Sequence, residues 1–338
     1  MRNCTSMPAR RTIRERLLDL PSALRDRLEN GKRTQRLVYA LRNRRLFSDI
    51  YQHDRMLADR ARVDSYWEAL GKHLGEGDVA IDLGSGTGVL SFFAARNGAQ
   101  VHGVEHSPLA EAARAIAADN GIENVEFHRV HSSRLELPVQ QVDAIVHEQI
   151  GDALFDERMV ENIADLRDRF LKPGGKILPG TFDLYIEPVQ LREDLRAPFA
   201  WEQKLHGIDF RALEPFAETS QSYLYKSLRP FPHGQLLCKP EPVVTFDLHT
   251  DGVADLPTRI SYRRPVVNAG HFDGFCVYFD ARFDEETGFS SSPELATTNW
   301  ANPLLRVRTR PVAVGETIEL DLSADDLAAP ASWRWNVQ

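Results

Sequence analysis

Asp82-Leu83-Gly84-Ser85-Gly86-Thr87-Gly88 sets three glycines at alternate positions, directly behind the apolar run Val79-Ala80-Ile81 and ahead of a helical pattern. Glycines at such a strand-to-helix turn let the chain bend tightly and let a ligand approach the backbone. A dinucleotide fingerprint would put two residues before its third glycine, so GxGxG with Asp82 in front favours S-adenosylmethionine over NAD. Glu105 closes the next apolar run, where a carboxylate can accept hydrogen bonds from both hydroxyls of a ribose. Glu148 ends the run VDAIVHE, and Glu157 follows nine residues later. Two carboxylates beyond the carboxyl end of a parallel strand suit a guanidinium, whose planar fork of donors matches them. By spacing alone, such a pair is more often two surface acids.

The elements that must hold these residues are legible in the hydropathy pattern. Short apolar runs (VAIDLG, VHGVE, VEFHRV, VDAIVHE) alternate with helical stretches through Ala95 and from Pro108 to Asn120, which predicts a doubly wound, mainly parallel α/β sheet. Helical spacing from Phe47 to Leu74 leads into it. After Leu178-Pro179-Gly180 the runs FDLYIEPV, PVVTFDLHT, FCVYFDARF and TIELDLS predict an antiparallel β-barrel. The aromatic stretch from about Leu191 to Pro232 is too long for a simple connection. The expected organisation is a basic helical extension over 1–46, a Rossmann-like cofactor domain over 47–178, and a barrel over 179–338 carrying that stretch as an arm.

Net charge is −8 over 338 residues, with thirteen Arg and Lys against four acids in the first 45. The remainder is therefore strongly acidic, which argues against a duplex nucleic-acid partner and suits a cationic substrate. No apolar run of about 18 residues could span a bilayer. Cys4, Cys238 and Cys276 form no CxxC pair, and no targeting segment is read at the N-terminus, so a reducing cytoplasm is expected. His102, His106, His128 and His131 show no metal-ligand spacing. They are expected to decorate strand ends and loops, and no metal is expected.

The successive segments HDRMLADRARVDSY, IDLGSGTG, VEHS, LELPVQQVD, HEQIGDALFDERM and ETGFSSSPELATTNW resemble, in order, the motifs of the protein arginine methyltransferase family over about residues 47–320. The resemblance implies a Rossmann-like methyltransferase domain, a β-barrel, and a helical dimerisation arm that docks on a partner, with WEQKLHGIDF at its start. A homodimer follows. It implies Arg62 for the cofactor carboxylate and Glu105 for the ribose, besides Asp82, Gly84 and Gly86 in the loop. Met56 would lie near the transferred methyl, Glu148 and Glu157 would grip the substrate, Met159 would crowd it, and Thr298-Asn299-Trp300 would form the family's Thr-His-Trp loop. Three departures stand out. Asn299 replaces histidine and cannot take a proton as an imidazole can; Gln149 replaces a frequent tryptophan; Ser133 replaces an adenine-binding glutamate.

The expected activity is methyl transfer to the guanidinium of an arginine, in a protein or as the free amino acid or another small guanidino compound. The product would be monomethylarginine or its asymmetric dimethyl form. The alternatives are a methyltransferase of the same fold acting on a non-guanidino nucleophile, and a binding protein with a vestigial cofactor domain.

Overall fold

A computed structural model of the chain describes residues 50–338 except 197, 218–224, 229–232, 296–298 and 338. The basic helical extension expected over 1–46, Cys4 and Thr298 lie outside the described residues.

Two helices open the described chain, α1 (Ile50–Ala58) and α2 (Arg60–His73). Asp59 separates them as the N-cap of α2, its Oδ1 accepting from the Arg62 backbone N–H at 3.2 Å. Arg62, Val63, Tyr66, Ala69 and Leu70 make the buried stripe of α2, the spacing of one helix face.

The parallel sheet comprises β1 (Val79–Leu83), β2 (Gln100–Val104), β3 (Val125–His128), β4 (Val142–His147) and β5 (Leu171–Leu178), in the order β3-β2-β1-β4-β5. Between them run α3 (Val89–Arg96), α4 (Leu109–Asp119) and α5 (Met159–Phe170). Alternate strand residues serve opposite faces, as the two-residue period requires. Ala80, Ala144 and Val146 pack with Leu70, Leu90 and Ala94 of α2 and α3, while Ile81, Leu83 and Ile145 pack with Val160, Ile163 and Leu166 of α5. Helices on both faces make this the doubly wound sheet the sequence predicts.

Beyond Gly180 the chain becomes antiparallel. The long strands β6 (Thr181–Leu191), β13 (Gly270–Arg282) and β15 (Asn302–Val312) form the spine of one sheet. Its other members are β9 (Tyr225–Leu228) beside β15, β10 (Gly234–Leu236) and β11 (Val244–Asp247) beside β6, and β14 (Gly288–Ser290) beside β13. A second sheet holds β12 (Arg259–Pro265), β16 (Thr317–Ala324) and β17 (Trp333–Val337). Phe182, Phe246, Phe275, Phe279 and Trp333 are fully enclosed between them. Cys238 and Cys276 are buried free thiols in this half.

The arm is expected to be helical, yet its described residues carry little helix. Glu193–Ala217 folds into short 3-10 turns, the two-residue hairpin of β7 (Lys204–Leu205) and β8 (Ile208–Asp209), and a four-residue α6 (Glu214–Ala217). Gly207 and the turn polarity of His206-Gly207 favour the hairpin over a continuous helix. Among the described residues no helix is long and apolar enough to cross a membrane.

Candidate active site

Tyr66 of α2 donates to the carbonyl of His147, the last residue of β4, at 2.7 Å in a buried setting. One helical turn earlier on α2 stands Arg62, and one residue beyond His147 stands Glu148. The tyrosine thus locks two adjacent rungs, and the Arg62 guanidinium forms an ion pair with the Glu148 carboxylate. From the far side, the barrel turn after β13 braces α2. Phe283 meets Tyr66 edge-on at 4.9 Å, and Asp284 receives His73 at 2.6 Å and Lys72 at 3.0 Å.

Only 3 % of the Arg62 side chain is exposed, against 14 % of Glu148, so the pair is desolvated. Burial pushes the Glu148 carboxyl up against the opposing pull of Arg62. Arg62 also donates to the carbonyl of Met56, which fixes α1 against α2, but its buried Nε has no hydrogen-bond partner. The buried hydroxyl of Ser85 in the glycine loop lacks a partner as well. Buried polar atoms left unsatisfied are costly, and these two are placed to bond polar groups of a ligand.

In the loop itself, Gly84 and Gly86 take φ of 74° and 51°. The backbone of Gly86 favours glycine, and a Cβ there would stand 2.7 Å from the His53 ring of α1 and push it aside. Glu105 spans the strand end and the loop, accepting from the Gly86 N–H at 3.2 Å and the Ser107 N–H at 2.6 Å. Asp82 is buried behind the loop and accepts from Ser91 Oγ at 2.6 Å. Burial raises its carboxyl to about 7, helped by the charges of Glu148 and Glu105 and opposed by the bond from Ser91.

The segment from Glu148 to Glu157 closes on itself. Gly151 and Leu154 form a bridge, Asp156 accepts from the Ala153 N–H at 3.1 Å, and Leu154 turns through φ of 70°. A Cβ on Gly151 would fall 1.7 Å from an Asp156 oxygen, so a side chain there would displace the Asp156 carboxylate from its turn. Two backbone contacts then tie this loop to the barrel. The Trp300 indole N–H donates to the Ile150 carbonyl at 2.6 Å, and Asp152 accepts from the Ala301 N–H at 2.7 Å. The neighbouring Asn299 N–H donates to Asp59, so one short barrel segment grips both the α1–α2 junction and the acidic loop.

Two family models match, a methyltransferase domain over residues 74–221 and an arginine methyltransferase oligomerization subdomain over 182–329. Protein arginine N-methyltransferase 6 of Xenopus tropicalis is 34% identical over 278 residues, covering 77% of this chain and 78% of that protein. The chain belongs to the protein arginine N-methyltransferase family. A ribosomal protein arginine N-methyltransferase of Schizosaccharomyces pombe is 30% identical over 77% of this chain, which spans half of that longer protein. Among solved structures, the Trypanosoma brucei PRMT1 enzyme-prozyme heterotetrameric complex with AdoHcy superposes with a TM-score of 0.72 at 26% identity, covering 82% of this chain and 88% of that one.

Several residues singled out by sequence in this family member converge, and others do not. Asp82, Gly84, Gly86 and Glu105 gather at the carboxyl ends of β1 and β2, while Arg62 and Glu148 meet as a pair. Glu157 is partly buried at the far end of its loop. Ser133 lies exposed on the turn after β3, sharing a 3.0 Å contact with His131. Met56 is partly exposed beside Arg62. Met159, expected to crowd the substrate, has no exposed surface and packs in the core with Phe155 and Val160. Trp300 stacks on Phe289 at 5.2 Å, with its N–H donated to the Ile150 carbonyl.

Asp59, Tyr66 and Asp152 were not singled out by sequence. Asp59 had a legible signal as an N-cap ahead of an apolar stripe, whereas the tertiary partners of Tyr66 and Asp152 lie 81 and 149 residues away. The histidines give a correction. His102 lies within β2 and pairs with His128 of β3 at 3.1 Å rather than decorating a loop.

Proposed function

We propose that this chain transfers a methyl group from S-adenosylmethionine to a guanidinium nitrogen of arginine, with Glu148 and Glu157 as the substrate clamp. The observation that carries this reading is the buried Arg62–Glu148 pair, which joins the cofactor side of the cleft to the acidic loop. Bound S-adenosylmethionine would supply an activated methyl on a positively charged sulfur. Arg62 Nε, without a partner, is suited to its carboxylate, Glu105 to its ribose hydroxyls, and the turn at Ser133 to the adenine side.

A guanidinium is a poor nucleophile, because its lone pairs are delocalised and it stays protonated. Carboxylates that hold two of its nitrogens draw positive charge onto those atoms and leave the third more electron-rich and aimed. Asn299 holds Asp59 through its backbone, and its side-chain amide cannot take up the released proton, so proton removal falls to another group or to water. Loss of charge at sulfur balances its gain at the substrate.

The substrate class is arginine in a protein chain or a small guanidino compound, and the products are monomethylarginine and its asymmetric dimethyl form. A homodimer built through the arm fits the oligomerization subdomain and the exposure of Leu205, Ile208 and Leu213, three apolar side chains on a surface that needs a cover. The test is a mass-spectrometric assay on free arginine, arginine-rich peptides and a cell lysate, with hydrolysed products resolved by chromatography. Methyl groups on a non-guanidino atom, or symmetric dimethylarginine, would overturn the reading.

A further inference from the structure

Strands β2 and β3 pair in parallel, with His102 opposite Glu126 and Val104 opposite His128. Because side chains alternate, His102, Glu126 and His128 project from the same face of these two strands. The Nδ1 of His102 stands 3.1 Å from the Nε2 of His128, and one Glu126 oxygen lies 3.8 Å from the former and 3.9 Å from the latter. At those distances the carboxylate is too far to hydrogen-bond either ring. Three ligand atoms of the right kinds therefore surround a gap. A point equidistant from atoms with these separations lies about 2.1 Å from each, the bond length of a zinc ion to imidazole nitrogen and carboxylate oxygen. No other His/Cys/Asp/Glu group among the described residues meets the same closeness.

We propose that His102, Glu126 and His128 form a binding site for one divalent transition-metal ion of the zinc class. Two imidazoles and one carboxylate are the donor set that zinc and its neighbours take, and that calcium and magnesium, which prefer all-oxygen shells, do not. Glu126, 64 % exposed, leaves the remaining coordination positions open to water. The ion would clamp β2 to β3 close to the cofactor end of the sheet: the His128 carbonyl accepts the Glu105 N–H at 3.0 Å. Nothing in the methyl-transfer chemistry requires this site, and it stands whether or not that reading holds.

The test uses the full-length, tag-free protein stripped with a chelator, titrated with Zn2+ by calorimetry and with Co2+ by visible absorption. One equivalent is expected to bind, with at least tenfold weaker binding in His102→Ala, His128→Ala and Glu126→Gln, and no change in His271→Ala, an exposed histidine elsewhere. Because Glu126 is exposed, Glu126→Gln should keep the melting temperature of the metal-free protein and so separates ligand loss from misfolding. No stoichiometric equivalent in the unmodified protein, or an equivalent that survives all three ligand variants, would overturn the proposal.

Discussion

Replacing Glu148 with Gln tests whether the cofactor side and the substrate side of the cleft share one ion pair. Removing one member of a buried pair outright costs about 3–5 kcal/mol, because the remaining charge is left uncompensated. Gln keeps the shape and one acceptor oxygen, so Arg62 exchanges a charge-assisted bond of about 1.5–3 kcal/mol for a neutral one near 1. The burial that raises the Glu148 carboxyl is relieved at the same time, which offsets part of the loss. A net destabilisation of about 1 kcal/mol is expected, a fall of roughly 2 °C in melting temperature for a chain of this size. Arg62 also loses the group that fixes its direction, and the affinity for S-adenosylmethionine should drop about tenfold, or about 1.4 kcal/mol. Differential scanning fluorimetry, calorimetric titration with S-adenosylmethionine, and turnover on an arginine peptide read the three effects separately. A variant that loses turnover but keeps its melting temperature and its cofactor affinity would refute the coupling and reduce Glu148 to a substrate contact alone.

In contrast, Glu157→Gln should lower turnover by two or more orders of magnitude with S-adenosylmethionine affinity within a few-fold, since Glu148 keeps its ion pair with Arg62 in that variant; calorimetry beside kinetics checks it. Trp300→Phe keeps the stack on Phe289 but strips the hydrogen bond from the Ile150 carbonyl, so a loss of about 1–3 kcal/mol is expected in stability or in kcat/KM, with cofactor affinity unchanged. Asp82 predicts a pH dependence. Its folded-state carboxyl, raised from 3.8 to about 7, makes the folded protein bind the extra proton, so this group's contribution to stability falls as pH rises through that interval. A positively charged cofactor favours the carboxylate, so binding should release a proton and tighten as pH rises from about 6 to 8; a flat profile, or one unchanged in Asp82→Asn, would count against this. For the arm, Ile208→Asp, at a side chain 61 % exposed, should shift light scattering from dimer to monomer.

The sequence by itself determined the local pieces and their chemistry. Alternating apolar runs and glycine spacing decide which segments become β1 to β4 and where a phosphate-free nucleoside cofactor can approach, because strand period, turn sterics and strand-end polarity are all short-range. Asp82, Glu105 and Glu148 were thus readable as carboxylates at strand ends. What tertiary structure decided is which of them meet. The Arg62–Glu148 pair exists because Tyr66 registers α2 against β4, and the acidic loop is braced because Trp300 and Ala301 arrive from 150 residues away. Met159 reads identically in sequence as core filler or pocket wall, and only packing shows it fully enclosed. The helix that the resemblance implied for the arm gives way to a hairpin at His206-Gly207. His102 and His128 have no metal-like spacing along the chain, yet parallel pairing of two strands sets them 3.1 Å apart, since register across a sheet depends on the whole domain and not on neighbouring residues.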